Sequence, residues 1–511
     1  MTSRYDVTWG WTGLSHDASL AVFVNDRLEF ASHSERFSQV KNERFVHAGL
    51  MHEALQYGVP EEIFFYETPW LKKTRQAYAG QYELIKKPSP DHFLNMVYNV
   101  MLKAGISKNG FPEQLPRSQP TRHHLAHAAG GYYTSTYDHA TIVVLDSIGE
   151  WETFTIWEGI DNQLHKRLSQ RYPHSVGIWY SAMTQRIGLM PQEHEYILMG
   201  MAAVGDPNRL YNDIKQDFIL KMPNQHHGVV FQRNCHRGCL DWRPDLNTPQ
   251  DYADIAAAVQ RIYEEIFREL CRTAYDMTNG NYSSIIIAGG CALNCVANPI
   301  AGEFFKNVHV PANPGDAGSA IGCVLAHTKE FLEMPHAFLG HDIQGDYPVE
   351  ELLEQLHKNK ITAVASGRAE FGPRALGNRS ILADPRGDDV KDRVNAIKLR
   401  EAFRPFAPAI LDEHAHEYFE GRTGDFMQYV SKCKYPEQFP AIVHYDNTSR
   451  VQTVTKESSP GLRTLLERWY ADTGCPMLLN TSLNIKGEPL VNTVYDAQRW
   501  SKQYGVQVCI P

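Results

Sequence analysis

The 511-residue chain lacks any apolar run near the roughly 20 residues that a membrane-spanning helix requires. A helical membrane protein is therefore not expected. Met1-Thr2-Ser3-Arg4-Tyr5-Asp6 lacks the apolar core of a secretory leader, so the expected compartment is the cytoplasm. Cysteine is sparse: nine residues, scattered, suit a reducing compartment rather than a disulfide framework. Only Cys235, His236 and Cys239, downstream of His226-His227, hint at zinc, and zinc sites normally carry a second tight pair. Positive charge is in deficit as well, 50 Lys and Arg against 59 Asp and Glu. The net −9 argues against a general polyanion binder while leaving local patches open. What remains, 43% hydrophobic and 21% charged residues, is an ordinary globular composition, long enough for roughly two to four domains.

His123-His124-Leu125-Ala126-His127 is the most unusual stretch, with three imidazoles in five residues. On a helix, His123 and His127 are an i, i+4 pair on one face, a spacing that lets two ring nitrogens converge on one ion. A metal site needs further ligands. Two carboxylates stand where strands should end: Asp146 closes Thr141 to Leu145, and Asp316 sits in Asn313-Pro314-Gly315-Asp316. The competing reading is a histidine-rich surface turn.

Leu20 to Val24 and Leu28 to Ala31, joined by Asn25-Asp26, read as a hairpin, and Phe154 to Trp157 with the turn at Gly159 to Asn162 reads as a second one. Two such units suggest a duplicated α/β domain with a ligand cleft between its halves. His16, in the polar run before the first hairpin, is placed as a general base, or else merely caps a turn. Pro249 to Asn279 reads as the longest helix, with Ala256, Val259, Ile262, Ile266 and Leu270 on its core face. Ser284 to Asn294 is a buried strand entering a glycine turn, an arrangement that offers backbone N–H groups to a phosphate.

From Trp70 to Arg122, nine cationic side chains face three acidic ones, with Trp70, Tyr78 and Tyr82 interleaved. Such an excess is commonly a solvated face, but it also favours an anionic partner, and the rings suit base stacking. The polar stretch from Leu339 to Val349 is expected to divide the chain. Beyond it, Gly367 to Ser380 and Lys398 to Phe406 concentrate Arg368, Arg374, Arg379, Lys398, Arg400 and Arg404. Arginines set among glycine and proline are fixed forks for phosphate or carboxylate; the alternative is internal pairing with Glu370, Asp384 and Glu401. Leu478 to Asn484 ends an apolar strand in Asn480, Thr481, Ser482 and Asn484.

These clusters, in this order, closely resemble the O-carbamoyltransferases of the nodulation protein U, cephalosporin and tobramycin type. The matching runs are His16 to Ser19, His123 to Ala128, Asp146 to Trp151, Pro173 to Gly205, Gly289 to Asn294, Pro314 to Gly318, Gly367 to Pro385, Lys398 to Pro408, His444 to Val454 and Asn480 to Pro489. The run from Phe371 to Ser380 is the most specific. The resemblance implies an α/β fold: a duplicated actin/hexokinase-like domain over 1–340, then a YrdC-like domain over 345–511.

The resemblance further implies that the second domain makes carbamoyl-adenylate from carbamoyl phosphate and ATP, and that the first passes the carbamoyl group to an acceptor hydroxyl. His123, His127, Asp146 and Asp316 then correspond to ligands of an iron-type ion, and His16 to the base. Arg374, Lys398, Arg400, Arg404, Asn480 and Ser482 correspond to carbamoyl-phosphate and ATP contacts; Gly289, Gly290, Asn294 and Glu195 correspond to adenylate contacts. Fe2+ is favoured, an N/O ligand set also admits Mn, Co or Zn, and Mg2+ would accompany ATP. One departure stands out: where relatives often carry lysine, this chain has Ile197. Expected partners are carbamoyl phosphate, ATP and a hydroxyl-bearing acceptor, either a sugar or natural product or a hydroxymethylated pyrimidine in DNA. The expected assembly is a monomer or homodimer. The rival readings are an inactive nucleotide-binding protein and a kinase of the same superfold, and neither needs the Lys398 to Pro408 cluster.

Overall fold

A computed structural model describes residues 6–86, 90–103, 115–223, 227–400, 404 and 406–511. Lys87, Lys108, His226, Glu401 and Pro405 lie outside the described residues.

The first sheet is made of Val7–Thr12, Ser19–Val24, Arg27–His33, Glu62–Phe65 and Ser118–Pro120. Its first three strands form an antiparallel meander, the fourth runs parallel to the first, and the fifth runs parallel to the fourth. The second sheet, His139–Gly149, Glu152–Ile160, Gln163–Arg171, Ser284–Ala288 and Asn307–His309, repeats these pairings in the same strand order, third-second-first-fourth-fifth. The repeated hairpin signal in the sequence is therefore one half of a repeated five-stranded unit, and this part of the chain is the duplicated actin/hexokinase-like fold.

Helices His123–Tyr133 and Ser319–Thr328 lie in the apolar layer between the two sheets, where Trp9, Ala126, Ala320 and Ile286 share one core. The helices cross closely enough that a Cβ on Gly322 would stand 2.0 Å from the Ala126 carbonyl oxygen. Any larger residue there would push the histidine helix off its seat. A second core lies on the far side of the second sheet, against helix Pro249–Met277. Pro at the first turn and a reciprocal Thr248–Asp251 capping box start this helix, satisfying N–H groups that its end would otherwise leave bare. Helix Pro90–Lys103 is fixed to the first sheet by Phe93 stacking on Trp11 at 4.1 Å.

The third core belongs to a six-stranded mixed sheet, in the order Gln452–Val454, Ala407–Leu411, Met477–Ser482, Arg379–Ala383, Ile361–Ala365, Val508–Cys509. Helices Val349–Asn359 and Pro460–Thr473 cover it with Leu352, Leu356, Leu462 and Leu466, each worth roughly 1.5–3 kcal/mol when fully buried. The polar stretch from Leu339 to Val349 is not an open linker: Phe338–Ile343 is a strand paired antiparallel with Gly367–Glu370. Among the described residues no helix is long and apolar enough to cross a membrane.

Candidate active site

His123 opens its helix and His127 follows one turn later, so both rings leave the same face, with their Nε2 atoms 3.1 Å apart. Asp146 sits in strand His139–Gly149 where its pairing with Glu152–Ile160 breaks register between Leu145 and Gly149. Asp316 opens the short turn ahead of helix Ser319–Thr328. His123 Nε2 is 3.2 Å from Asp146 Oδ2 and 3.4 Å from Asp316 Oδ1, and His127 Nε2 is 3.3 Å from that same Asp316 oxygen. One donor atom from each of the four lies within 4.8 Å of all the others. Among the described residues this is the one such cluster of three or more His, Cys, Asp or Glu side chains.

Burial opposes charge on Asp146, but the hydrogen bond from His123 and the charges of His123 and His127 together hold the carboxyl at about 2. Burial likewise opposes charge on Asp316, and His123 and His127 hold it well below the usual carboxylate range. His123 is pushed down by burial and then driven well above its ordinary value by the two carboxylates. A site that holds a proton this strongly has the field to hold a metal cation in its place. Two imidazole nitrogens and two carboxylate oxygens, already converged, fit a divalent ion of mixed N/O preference. His127 Nδ1 meets Ser319 Oγ at 3.2 Å, and its Nε2, turned into the cluster, would face a bound ion. The middle histidine of the pentad is structural. His124 Nδ1 meets Thr155 Oγ1 at 2.9 Å, and burial pushes its imidazole down to about 3, so it stays neutral.

A cleft of about 740 Å³ runs from this cluster to the C-terminal cationic residues. His16, Asp146, Asp316, Glu195 and Asn294 line one part of it; Arg374, Lys398, Arg400, Arg404, Asn480 and Ser482 line another. His16 is 44% exposed, with Nε2 3.8 Å from Asp316 Oδ2, so its imidazole is open to whatever enters. The Gly289–Gly290 turn does not present bare N–H groups. Gly289 N–H donates to the Pro314 carbonyl (2.9 Å) and Gly290 N–H to Asp146 Oδ1 (3.2 Å), so the pair fixes Asp146 and the Asp316 loop. Asn294 exchanges amide bonds with Gln260, and Glu195 accepts from Ser181 Oγ and the Gln192 N–H. Ile197 is buried and is not among the cleft residues, although its neighbours Glu195 and Tyr196 are.

At the cationic end, buried Lys398 donates to Ser482 O (2.5 Å), Ser482 Oγ (3.0 Å), Asn484 O (2.6 Å) and Asn484 Oδ1 (2.5 Å). Burial, then Arg400, Arg404 and Lys41, push its ammonium well below its ordinary value. Arg400 stacks over Phe406 and Arg404 over Tyr196, at 3.9 and 4.7 Å from the ring centres. Arg374 is pushed down to about 9 by burial first and next by Arg450, with Arg404 adding to it. Asn480 donates to Gln452 Oε1 at 2.7 Å, leaving its own buried carbonyl oxygen without a partner. A cationic wall of this kind has the charge and donors to hold an anion.

Two expectations change. Arg379 is not a phosphate fork: fully buried, it donates to the carbonyls of Asn492, Ser366, Gly367, Asn378 and His341 and ties three segments together. Arg368 likewise ends on the carbonyls of Leu339 and Glu29, and Glu370 accepts the N–H groups of Leu376, Asn378 and Arg379 rather than an arginine. The basic segment is also less free than its composition suggests. Lys72 pairs with Glu67 at 2.6 Å, Arg75 donates to Glu150 O and Gln81 Oε1, and the exposed rings of Trp70, Tyr78 and Tyr82 do not line the cleft. Cys235 and Cys239 are core residues whose thiols burial pushes up to about 11 and 12. Sequence reasoning missed Arg450, Lys41, Tyr196 and Glu67; Arg450 and Tyr196 lie inside matching runs, while Lys41 and Glu67 carry no local signal.

Comparison with known proteins agrees with this arrangement. Residues 13–325 match the family model of the carbamoyltransferase N-terminus, and residues 353–510 that of the carbamoyltransferase C-terminus. An uncharacterized protein of Synechocystis sp. is 32% identical over 96% of this chain and 93% of its own length. The 3'-hydroxymethylcephem-O-carbamoyltransferase of Amycolatopsis lactamdurans is 26% identical over 96% and 95%, and nodulation protein NolNO of Sinorhizobium fredii 27% identical over 94% and 76%. With both halves matched in order, the chain belongs to the carbamoyltransferase family of enzymes.

Proposed function

We propose that this enzyme is an ATP-dependent O-carbamoyltransferase that forms carbamoyl-adenylate from carbamoyl phosphate, water and ATP, releasing inorganic phosphate from the first and pyrophosphate from the last, and passes the carbamoyl group to an acceptor hydroxyl. The observation that carries the proposal is the single cleft lined both by the cationic wall and by the His/Asp cluster. Activation belongs to 345–511, read as YrdC-like, and transfer to 1–340. Arg374, Arg400 and Arg404 neutralise the phosphates of the reactants, which a poor electrophile needs if its leaving group is to be improved. Lys398 already shares its three N–H donors among four oxygens, so it contributes chiefly charge and the shape of the turn at Ser482 to Asn484. Asn480, with its unpaired oxygen, orients a substrate donor group.

In the transfer half, His16 takes the proton as the acceptor oxygen bonds to the carbamoyl carbon and the bond from that carbon to the adenylate oxygen breaks, releasing AMP. His123, His127, Asp146 and Asp316 would hold the divalent ion, which when bound supplies Lewis acidity beside the reacting phosphate. Gly290 keeps Asp146 aimed at that place, and Asn294 and Glu195 edge the same cleft. As acceptor we favour a small hydroxylated compound, as the cephem relative's name suggests, over nucleic acid. The rings of the basic segment lie outside the cleft, and its Lys72 and Arg75 are paired internally. Incubation with carbamoyl phosphate, ATP and a panel of hydroxylated metabolites and hydroxymethylated DNA, followed by mass spectrometry, tests this. A carbamoyl mass on a small hydroxyl compound is expected; carbamoylated DNA alone would reverse the choice of acceptor, and no carbamoylated product would remove the proposed activity.

A further inference from the structure

Glu67 lies just beyond strand Glu62–Phe65, at the C-terminal edge of the first sheet, where open α/β sheets place their ligands. It is buried, and both of its carboxylate oxygens face something specific. Oε1 accepts from Lys72 Nζ at 2.6 Å, and that ammonium also donates to Ser15 Oγ, in the residue before His16. Oε2 faces His123 Nδ1 at 4.0 Å.

The other end of that imidazole decides what the contact is for. His123 Nε2 points into the cluster with His127, Asp146 and Asp316, so for it to offer a lone pair to a cation the ring proton must sit on Nδ1. That Nδ1 is buried and has no hydrogen-bond partner. His127 has solved the same problem with Ser319 Oγ at 3.2 Å; for His123 Nδ1 the carboxylate at hand among the described residues is Glu67, at 4.0 Å. The remaining gap is about 1 Å beyond an ordinary N–H···O bond, within the travel of a glutamate side chain. The ring of Tyr66, the residue before Glu67, lies 5.1 Å from that of His123.

We propose that Glu67 is the positioning residue for His123: it receives the Nδ1 proton, fixes the tautomer and turns Nε2 toward a bound cation. Lys72 binds the other carboxylate oxygen and Ser15 and takes no part in the contact with His123. This inference rests on the metal-centre reading above. Histidine ligands commonly depend on such a partner, and its loss lowers metal affinity by about 10–100-fold.

The test is titration of the chelator-stripped full chain with Co2+, followed by its d–d absorption, for wild type, Glu67→Gln and Lys72→Met. Expected are Co2+ binding by wild type, at least about tenfold weaker binding with displaced bands in Glu67→Gln, and binding within about threefold of wild type in Lys72→Met. Glu67→Gln keeps the volume, and Lys72→Met reports whether losing the ion pair alone disturbs the site. Wild-type affinity and bands in Glu67→Gln, or an equal loss in both variants, would overturn the assignment of Glu67 while leaving the metal centre standing. Failure of wild type to take up Co2+ would instead overturn the metal centre, and this inference with it.

Discussion

Arg374 gives the sharpest separation of stability from activity. Its guanidinium lines the cleft, no carboxylate among the described residues pairs with it, and burial together with the neighbouring Arg450 and Arg404 pushes it from 12.5 down to about 9. A cation so disfavoured in the folded state costs stability at every pH below about 9, because the unfolded chain holds the same proton more easily. At 1.36 kcal/mol per pKa unit the ceiling is about 5 kcal/mol; water in the cleft screens part of this, leaving about 1–3 kcal/mol. Arg374→Met should therefore fold at least as stably as wild type, gaining up to about 3 kcal/mol in urea unfolding at neutral pH. Its carbamoyl-phosphate-dependent pyrophosphate release should meanwhile collapse, since loss of a desolvated anion contact costs about 2–5 kcal/mol of binding. Pyrophosphate or phosphate should raise the melting temperature of wild type and not of the variant. A variant destabilised by more than about 2 kcal/mol with pyrophosphate release intact would refute the reasoning, marking Arg374 as a structural residue.

Other substitutions divide the roles further. His127→Ala should abolish acceptor carbamoylation while leaving pyrophosphate release within about threefold, since His127 belongs to the His/Asp cluster and not to the cationic wall; equal loss of both in a soluble variant would contradict the division. Arg379→Met should lower stability by about 3–5 kcal/mol in chemical denaturation, because five carbonyls lose one shared charged donor; a stable variant would return Arg379 to the list of candidate anion ligands. His309 is pushed down to about 4 by burial, so it favours folding above the ordinary histidine value of 6.5 and that contribution is lost as pH falls from 6.5 toward 4. His309→Leu should flatten the stability profile below pH 6.5, by about 1–2 kcal/mol at pH 5, and an unchanged slope would exclude His309 as the titrating group.

Local patterns made the two-sheet unit and the His/Asp cluster legible. Short apolar runs bounded by turn residues give strands, an i, i+4 histidine pair needs only a helix to converge, and Asp146 and Asp316 stand where those runs end. What stayed hidden depends on chain returning from far away. Arg374 and Arg379 are five residues apart in one Gly/Pro-rich run, yet one lines the cleft and the other is enclosed by carbonyls, because only the latter enters a central strand of the third sheet. The Gly289–Gly290 turn looks like a phosphate cradle in isolation, and only the approach of Pro314 and Asp146 shows where its N–H groups go. The cationic excess between Trp70 and Arg122 is real in composition, but Glu67 and Gln81 absorb part of it.

The central claim is that the cationic wall activates carbamoyl phosphate at the expense of ATP in a cleft shared with the transfer site. Phosphorus NMR of the purified chain with ATP, Mg2+ and carbamoyl phosphate, in the absence of acceptor, tests it most directly. The expected result is pyrophosphate appearing only when carbamoyl phosphate is present; ADP instead of pyrophosphate, as a kinase would give, or no turnover of ATP at all would contradict it.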